Sequence, residues 1–197
     1  MAARRAAPPP QVRLRQLPKD VAGDPLKVDW SKAATGGEWY TILGCATPRK
    51  VEARFAQDGE YLYVRLTEEI NPEALVNEPE IWGGDDWELF FAPKRGTKPY
   101  RQMGINPKGT HMELAYGESS DKWESGVNVI SEAAANCWKV SLGFPLSRLL
   151  AGGVKPGQTV YVNILRACGG QGDTLAWSPN FENKFDSLER LGEIILE

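Results

Sequence analysis

VEARFAQDGEYLYVRL, residues 51–66, reads as two strands and the turn between them. Val51, Ala53 and Phe55 alternate with Glu52, Arg54 and Ala56, and Leu62, Val64 and Leu66 alternate with Tyr61, Tyr63 and Arg65. Period-two alternation sends successive side chains to opposite faces of a sheet, so each run buries one face. Gln57-Asp58-Gly59-Glu60 supplies the residue types a tight reversal needs, and the two runs therefore pair as an antiparallel hairpin.

The same pattern recurs along the chain. After the Gly83-Gly84 break, Trp87, Leu89 and Phe91 alternate with Asp86, Glu88 and Phe90, which predicts a strand whose polar face carries a carboxylate. A second hairpin follows, with Met103 and Ile105 on one face and Tyr100, Gln102, Gly104 and Asn106 on the other. It turns at Asn106-Pro107-Lys108-Gly109 into Met112 and Leu114. Met103 and Met112 read as inward, His111 as outward. Further strands are predicted over 127–130, 137–144, 159–167 and 191–196. Only Pro145-Leu146-Ser147-Arg148-Leu149-Leu150, with Pro in the first turn and Gly152-Gly153 beyond, reads as helical. The expected fold is all-β: a two-sheet antiparallel β-sandwich of jelly-roll type with one short helix.

Composition agrees, with 20 Gly and 14 Pro among 197 residues favouring turns and short elements over long helices. Residues 1–11, rich in Ala, Arg and Pro, read as a disordered tail, and 12–197 as a single domain with no repeat period. The opening MAARRAAPPPQ has basic residues but no apolar run behind them, so it does not read as a signal peptide. Lys and Arg number 23 against 26 Asp and Glu, and no basic stripe interleaves with aromatics, so nucleic acid is not an expected partner. No stretch approaches the ~20 apolar residues of a membrane span, so a membrane is not expected either. Cys45, Cys137 and Cys168 are too widely spaced for a zinc cluster. Buried thiols are the expectation for them, with one disulfide left open.

The residues that could do chemistry are few. There is a single histidine, His111, and neither a G-x-S-x-G nor an H-E-x-x-H arrangement, so serine and metal hydrolysis lack support. Asp85, Asp86 and Glu88 could pair across a glycosidic bond, but Asp85 or Asp86 reads more simply as a turn cap or a calcium ligand. Gly169-Gly170-Gln171-Gly172-Asp173 lacks the Lys-Ser/Thr pair of a phosphate loop and reads as a mobile loop. His111 with Met103 or Met112 could ligate haem iron, an alternative weakened by the phases of those residues.

Seven tryptophans exceed what a core of this size ordinarily uses, and some should face a ligand. A sugar presents apolar C–H faces and a rim of hydroxyls, so a sugar site needs flat aromatics for the faces and amides, carboxylates or guanidinium for the rim. Trp82 and Trp177, in loops beside strands that carry Glu88, Gln102 and Asn106, meet that need. Trp87 and Trp138 read as core, and Trp30, Trp39 and Trp123 fit either role.

In order, EYLYVRL, IWGGDDWELFF, YRQMGINPKGT, CWKVSLGFPLSRL, VYVNILRA, LAWSP and the closing LGEIIL resemble family 9 carbohydrate-binding modules, within a superfamily of β-sandwiches that bind sugars or haem. The resemblance runs from about Asp24 to Glu197. It implies a non-catalytic module, without a catalytic cofactor but with structural calcium. Such a module grips a terminal sugar of glucan or xylan, often beside a glycoside hydrolase domain in an extracellular or periplasmic protein. By motif position it implies Trp82 and Trp177 as the two walls, Glu88, Gln102 and Asn106 as hydrogen-bonding residues, and Arg166 as the arginine after the V-N-I strand. Alternation from Val160, Val162 and Ile164 puts Arg166 inward unless a bulge intervenes. The family's basic residue between the two amides is here Gly104, a contact that Arg101 or Lys108 would have to replace. The remaining alternatives are a haem-binding electron-transfer sandwich and a structural or interaction domain.

Overall fold

In a computed structural model that describes residues 2–19, 21–169 and 172–197, the chain forms two facing sheets. A short helix α1 (Ala2–Ala6) leads into β1 (Gln11–Leu14), β2 (Ala34–Thr35), β3 (Tyr40–Thr41), β4 (Val51–Gln57) and β5 (Tyr61–Glu69). Two 3-10 turns, Pro72–Ala74 and Ile81–Gly83, precede β6 (Asp86–Ala92), β7 (Tyr100–Ile105), β8 (His111–Tyr116), β9 (Asn128–Ala134) and β10 (Cys137–Pro145). Helix α2 (Leu146–Leu149), β11 (Thr159–Ala167), β12 (Leu175–Ala176) and β13 (Gly192–Leu196) complete the chain.

One sheet runs β1-β13-β11-β6-β7-β8, with β12 and β3 attached beside β11, and the other runs β2-β4-β5-β10-β9. Every pairing between these strands is antiparallel except β1 with β13. The expected hairpin forms with Phe55 opposite Val64. Its turn closes where the Asp58 carboxylate accepts from the backbone N–H groups of Glu60 and Tyr61 at 2.9 and 2.8 Å. Gly59, at φ +88°, adopts there a conformation that side chains disfavour. The predicted helix appears as α2.

Between the sheets, Phe55, Val64, Leu66, Trp87, Leu89, Phe91, Trp138 and Phe144 belong to one continuous core. Both outer faces, expected to be polar, are also partly covered. Trp30, Tyr63 and Val28 pack outside β4 and β5. Outside the larger sheet, Phe90, Ala92, Tyr100 and Leu165 lie beneath Ile42 and Leu191, with Phe185 and Leu188 against them. β6 is therefore buried along its whole length. Half of that strand's outer face is apolar and covered; the other half, at Asp86 and Glu88, borders a cavity.

The opening residues, expected as a tail, lie against the sandwich: the Arg4 guanidinium sits 3.6 Å from the Tyr40 ring centroid. Arg190 donates to the carbonyls of Arg5 and Ala7 at 3.2 and 2.7 Å. Trp30, Trp39 and Trp123, left open by sequence, are all buried. The three cysteines are free; Cys45 is exposed and the other two are half-buried, so none is the fully buried thiol expected. Gly170 and Gln171 of the glycine-rich stretch lie outside the described residues.

Candidate functional site

On the outer face of the larger sheet, register decides which side chains meet. Glu88 lies opposite Gly104, and Gln102 lies between Phe90 and Leu114 on the neighbouring strands. Residues directly opposed in an antiparallel pair point to the same face. The turn at 106–110 sets Ile105 opposite His111 and Gly104 opposite Met112. Since Ile105 and Ala115 are core residues, Met112, Leu114 and Tyr116 must face outward. The expectation for Met112 and His111 is thus reversed: Met112 is an exposed outer residue, and His111 takes the inward phase at an open sheet edge.

Trp82 stands on the 3-10 turn Ile81–Gly83, anchored by buried Ile81 and itself 42% exposed. A Cβ on Gly104 would lie 2.4 Å from the Trp82 ring and 2.9 Å from Ile81, so the glycine is the space in which the indole rests against β7. Gly104, where the resemblance expected a basic residue, is a seat for an aromatic. The turn is fixed from below. Asp85 accepts from the Val76 N–H at 2.6 Å and from the Arg166 Nη1 at 2.7 Å. A Cβ on Gly169 would collide with the backbone of Gly84 at 2.3 Å.

Beside Trp82 opens a cavity of about 470 Å³, within the usual range for small-molecule sites. Asp86, Glu88, Gln102, Leu114, Tyr116 and Phe185 line it together with Trp82. Gln102 Nε2 donates to Glu88 Oε2 at 2.6 Å, which orients both groups. Burial pushes the Glu88 carboxyl up to about 7, against the opposing pull of that hydrogen bond. Burial, with the neighbouring Glu88 charge, pushes Asp86 to about 8, while Arg166 pulls the other way. Asp86 is 1% exposed, and among the described residues its Oδ1 has no hydrogen-bond partner. Another cavity of about 460 Å³, beside Gly59, Tyr61, Pro145 and Gly153, offers a single aromatic and no buried carboxyl.

Three of the six expected site residues, Trp82, Glu88 and Gln102, come together here. The other three do not. Trp177 is 1% exposed in the main core, its Nε1 donating to the Gly36 carbonyl at 2.5 Å and its ring 5.3 Å from that of Phe55. Its neighbour Ala176 belongs to the outer cluster, so alternation turns Trp177 inward, and it cannot be a wall of the cavity. Arg166 lies opposite Trp87 in an unbroken register with no bulge, which fixes it inward and fully buried. There it donates to Glu68 and Asp85, at 2.7 Å each, and its guanidinium lies 4.6 Å from the Trp138 ring centroid. Arg49 completes the set by donating to the other Glu68 oxygen at 2.7 Å. Arg166 thus supports the site through Asp85 without lining it. Asn106 accepts from the N–H groups of Lys108 and Thr110 at 3.1 and 3.0 Å, which makes it the turn-former of its hairpin.

Neither substitute for the missing basic contact reaches the cavity. Arg101, on the inward face opposite Phe91, bonds Glu118 through two donors at 2.9 and 3.0 Å, and Lys108 is exposed in the turn. Among the described residues no group of three or more His, Cys, Asp or Glu could hold a metal ion. The Asp85 carboxylate is committed to Val76 and Arg166, so a calcium site does not fit it. Sequence reading missed Asp86, Tyr116 and Phe185 as cavity residues. Tyr116 was recoverable from the register of β8, whereas Phe185 sits in a loop without periodicity.

No protein-family model matches the sequence, and no curated protein does. Solved structures do resemble it. A Bacteroides uniformis protein described as a candidate carbohydrate-binding protein superposes with a TM-score of 0.74 at 15% identity, over 96% of this chain and 100% of that one. A family 9 carbohydrate-binding module of Caldicellulosiruptor kristjanssonii in complex with glucose gives 0.66 at 13% identity, over 94% and 96% of the two chains. The same organism's module in complex with cellotriose gives 0.69 at 12% identity, over 95% and 93%. The chain has the fold of family 9 carbohydrate-binding modules, as the motif order implied.

Proposed function

We propose that the protein is a non-catalytic carbohydrate-binding module whose site is the cavity beside Trp82. The observation that carries this reading is the pairing of a half-exposed indole, seated on Gly104, with the buried Glu88–Gln102 hydrogen-bonded pair next to it. A half-exposed indole resting against a strand offers its exposed surface to the C–H face of a sugar ring, and stacking of this kind contributes about 1 kcal/mol beyond area burial. Glu88 and Gln102 then meet the hydroxyl rim, since a fixed carboxyl and amide supply both acceptors and donors. Tyr116 and Phe185 supply the remaining aromatic lining in place of Trp177. Solved modules of the same fold carry glucose and cellotriose, which favours gluco-configured sugars.

Titration of intrinsic tryptophan emission with glucose, cellobiose, xylobiose and galactose tests the reading, because a ring stacked on Trp82 must perturb that indole. A saturable change with cellobiose, lost in Trp82→Ala and weakened at least tenfold in Glu88→Gln, is expected. A saturable change that persists in Trp82→Ala places the sugar elsewhere, and no change with any sugar removes the reading.

A further inference from the structure

The charges around the cavity do not balance. Asp86 and Glu88 both face it from one strand, and none of its lining residues is Lys, Arg or His. The cations behind the sheet are bonded to other carboxylates, although Arg166 Nη2 has no partner among the described residues. Arg166 holds Glu68 and Asp85, and Arg49 holds the second oxygen of Glu68, so two guanidinium groups face two carboxylates. The Cys168 thiol, at the cavity wall, is pushed up by burial and contributes no charge. Asp186, near Tyr116, is paired with Lys184 at 3.9 Å and leaves the imbalance unchanged. Among the described residues, two buried carboxyls thus have no cation bonded to them, and Asp86 Oδ1 has no hydrogen-bond partner, Arg166 acting on Asp86 only through space from behind the sheet. Such groups are costly to bury ionised, and a bound cation removes that cost.

We propose that the preferred ligand is a cationic sugar, a hexosamine with a free amine, whose ammonium binds against Asp86 and Glu88 while its ring lies on Trp82. This rests on the sugar-site reading above and names its ligand class. The spacing suits one ammonium. Residues two apart on a strand have Cα atoms about 6.8 Å apart, and a tetrahedral ammonium bonded to two carboxylates at roughly 2.8 Å spans about 4.6 Å between their oxygens, which side chains converging on one point can meet. No cationic side chain of β7 faces the carboxyls: Gly104 lies opposite Glu88, and the one β7 group bonded to that carboxyl is the neutral Gln102 amide, so nothing there repels the ammonium. With Asp86 raised to about 8 and Glu88 to about 7, both carboxyls hold part of their protons near neutrality in the free protein, so ammonium binding is coupled to proton release from them.

Calorimetric titration at pH 7 with three β-1,4-linked disaccharides tests this: the glucosamine dimer, its di-N-acetylated form and cellobiose. The glucosamine dimer is expected to bind at least tenfold more tightly than cellobiose, with the acetylated dimer no tighter than cellobiose. Asp86→Asn is expected to bring the ratio of amine to cellobiose affinity to within about threefold of one. Cellobiose binding as tightly as the amine in the wild-type protein overturns the charge inference and leaves the sugar site standing. An amine preference that survives Asp86→Asn overturns the assigned contact. If none of the three binds, the sugar reading itself falls.

Discussion

Trp177 stands where the family resemblance expects a sugar-stacking wall, yet its surroundings predict a different phenotype for its removal. The side chain is 1% exposed, packs on Phe55 at 5.3 Å between centroids, and donates to the Gly36 carbonyl at 2.5 Å. Glycines 36 and 192 leave room for it, since a Cβ on either would come within 2.9 Å of the ring. Truncating a buried Trp to Ala costs about 3–5 kcal/mol, and a buried carbonyl that loses its donor costs roughly 1–3 kcal/mol more. With about 5 kcal/mol lost and 2–4 °C per kcal/mol for a chain of this size, Trp177→Ala should melt roughly 10–20 °C below the parent. Urea unfolding followed by far-ultraviolet circular dichroism measures the loss. Trp177→Phe, which keeps a ring against Phe55, should fold, lose only the hydrogen bond, and bind cellobiose within about twofold of the parent. Wild-type stability in Trp177→Ala, or loss of sugar binding in Trp177→Phe, would refute the assignment of this residue to the core.

Other consequences follow from the same geometry. Gly104→Ala places a Cβ 2.4 Å from the Trp82 ring and must lift the indole off β7. Because that ring is already half-exposed, stability should change by less than about 1 kcal/mol, while cellobiose affinity falls at least tenfold in the same fluorescence titration. Stability should also depend on pH in the sense opposite to that of paired carboxylates. Asp86 and Glu88 are raised from 3.8 and 4.5 to about 8 and about 7, so the folded state binds more protons than the unfolded state between those limits. Stability is then greatest near the unfolded values and declines as pH rises from about 4 to about 8. Urea midpoints at pH 5 and pH 8 should show that decline, and Asp86→Asn should flatten it.

The strands were legible because their period-two patterns are strong: β4 and β5 and their turn, the phase of β6 and the span of β11 all read directly from alternation. Alternation also put Arg166 inward, against the role the motif implied, and the unbroken register with β6 shows that the local physics was the better guide. What the sequence could not disclose was its partners. Glu68 and Asp85 meet Arg166 from separate parts of the chain, Arg49 meets Glu68 from another, and nothing local signals those meetings. Trp177 was misplaced because loop residues carry no phase until their strand, here the two-residue β12, is paired. The polarity of Asp86 and Asn106 was visible, but only the fold separates a carboxyl that faces a cavity from an amide that closes a turn.

A crystal structure of the protein grown with cellotriose tests the central claim most directly. The account predicts a sugar ring on the exposed surface of Trp82, with ring hydroxyls within hydrogen-bonding distance of Glu88 and Gln102 and with Trp177 unmoved in the core. A sugar bound away from Trp82, or a binding pose that brings Trp177 out to meet it, would contradict the account.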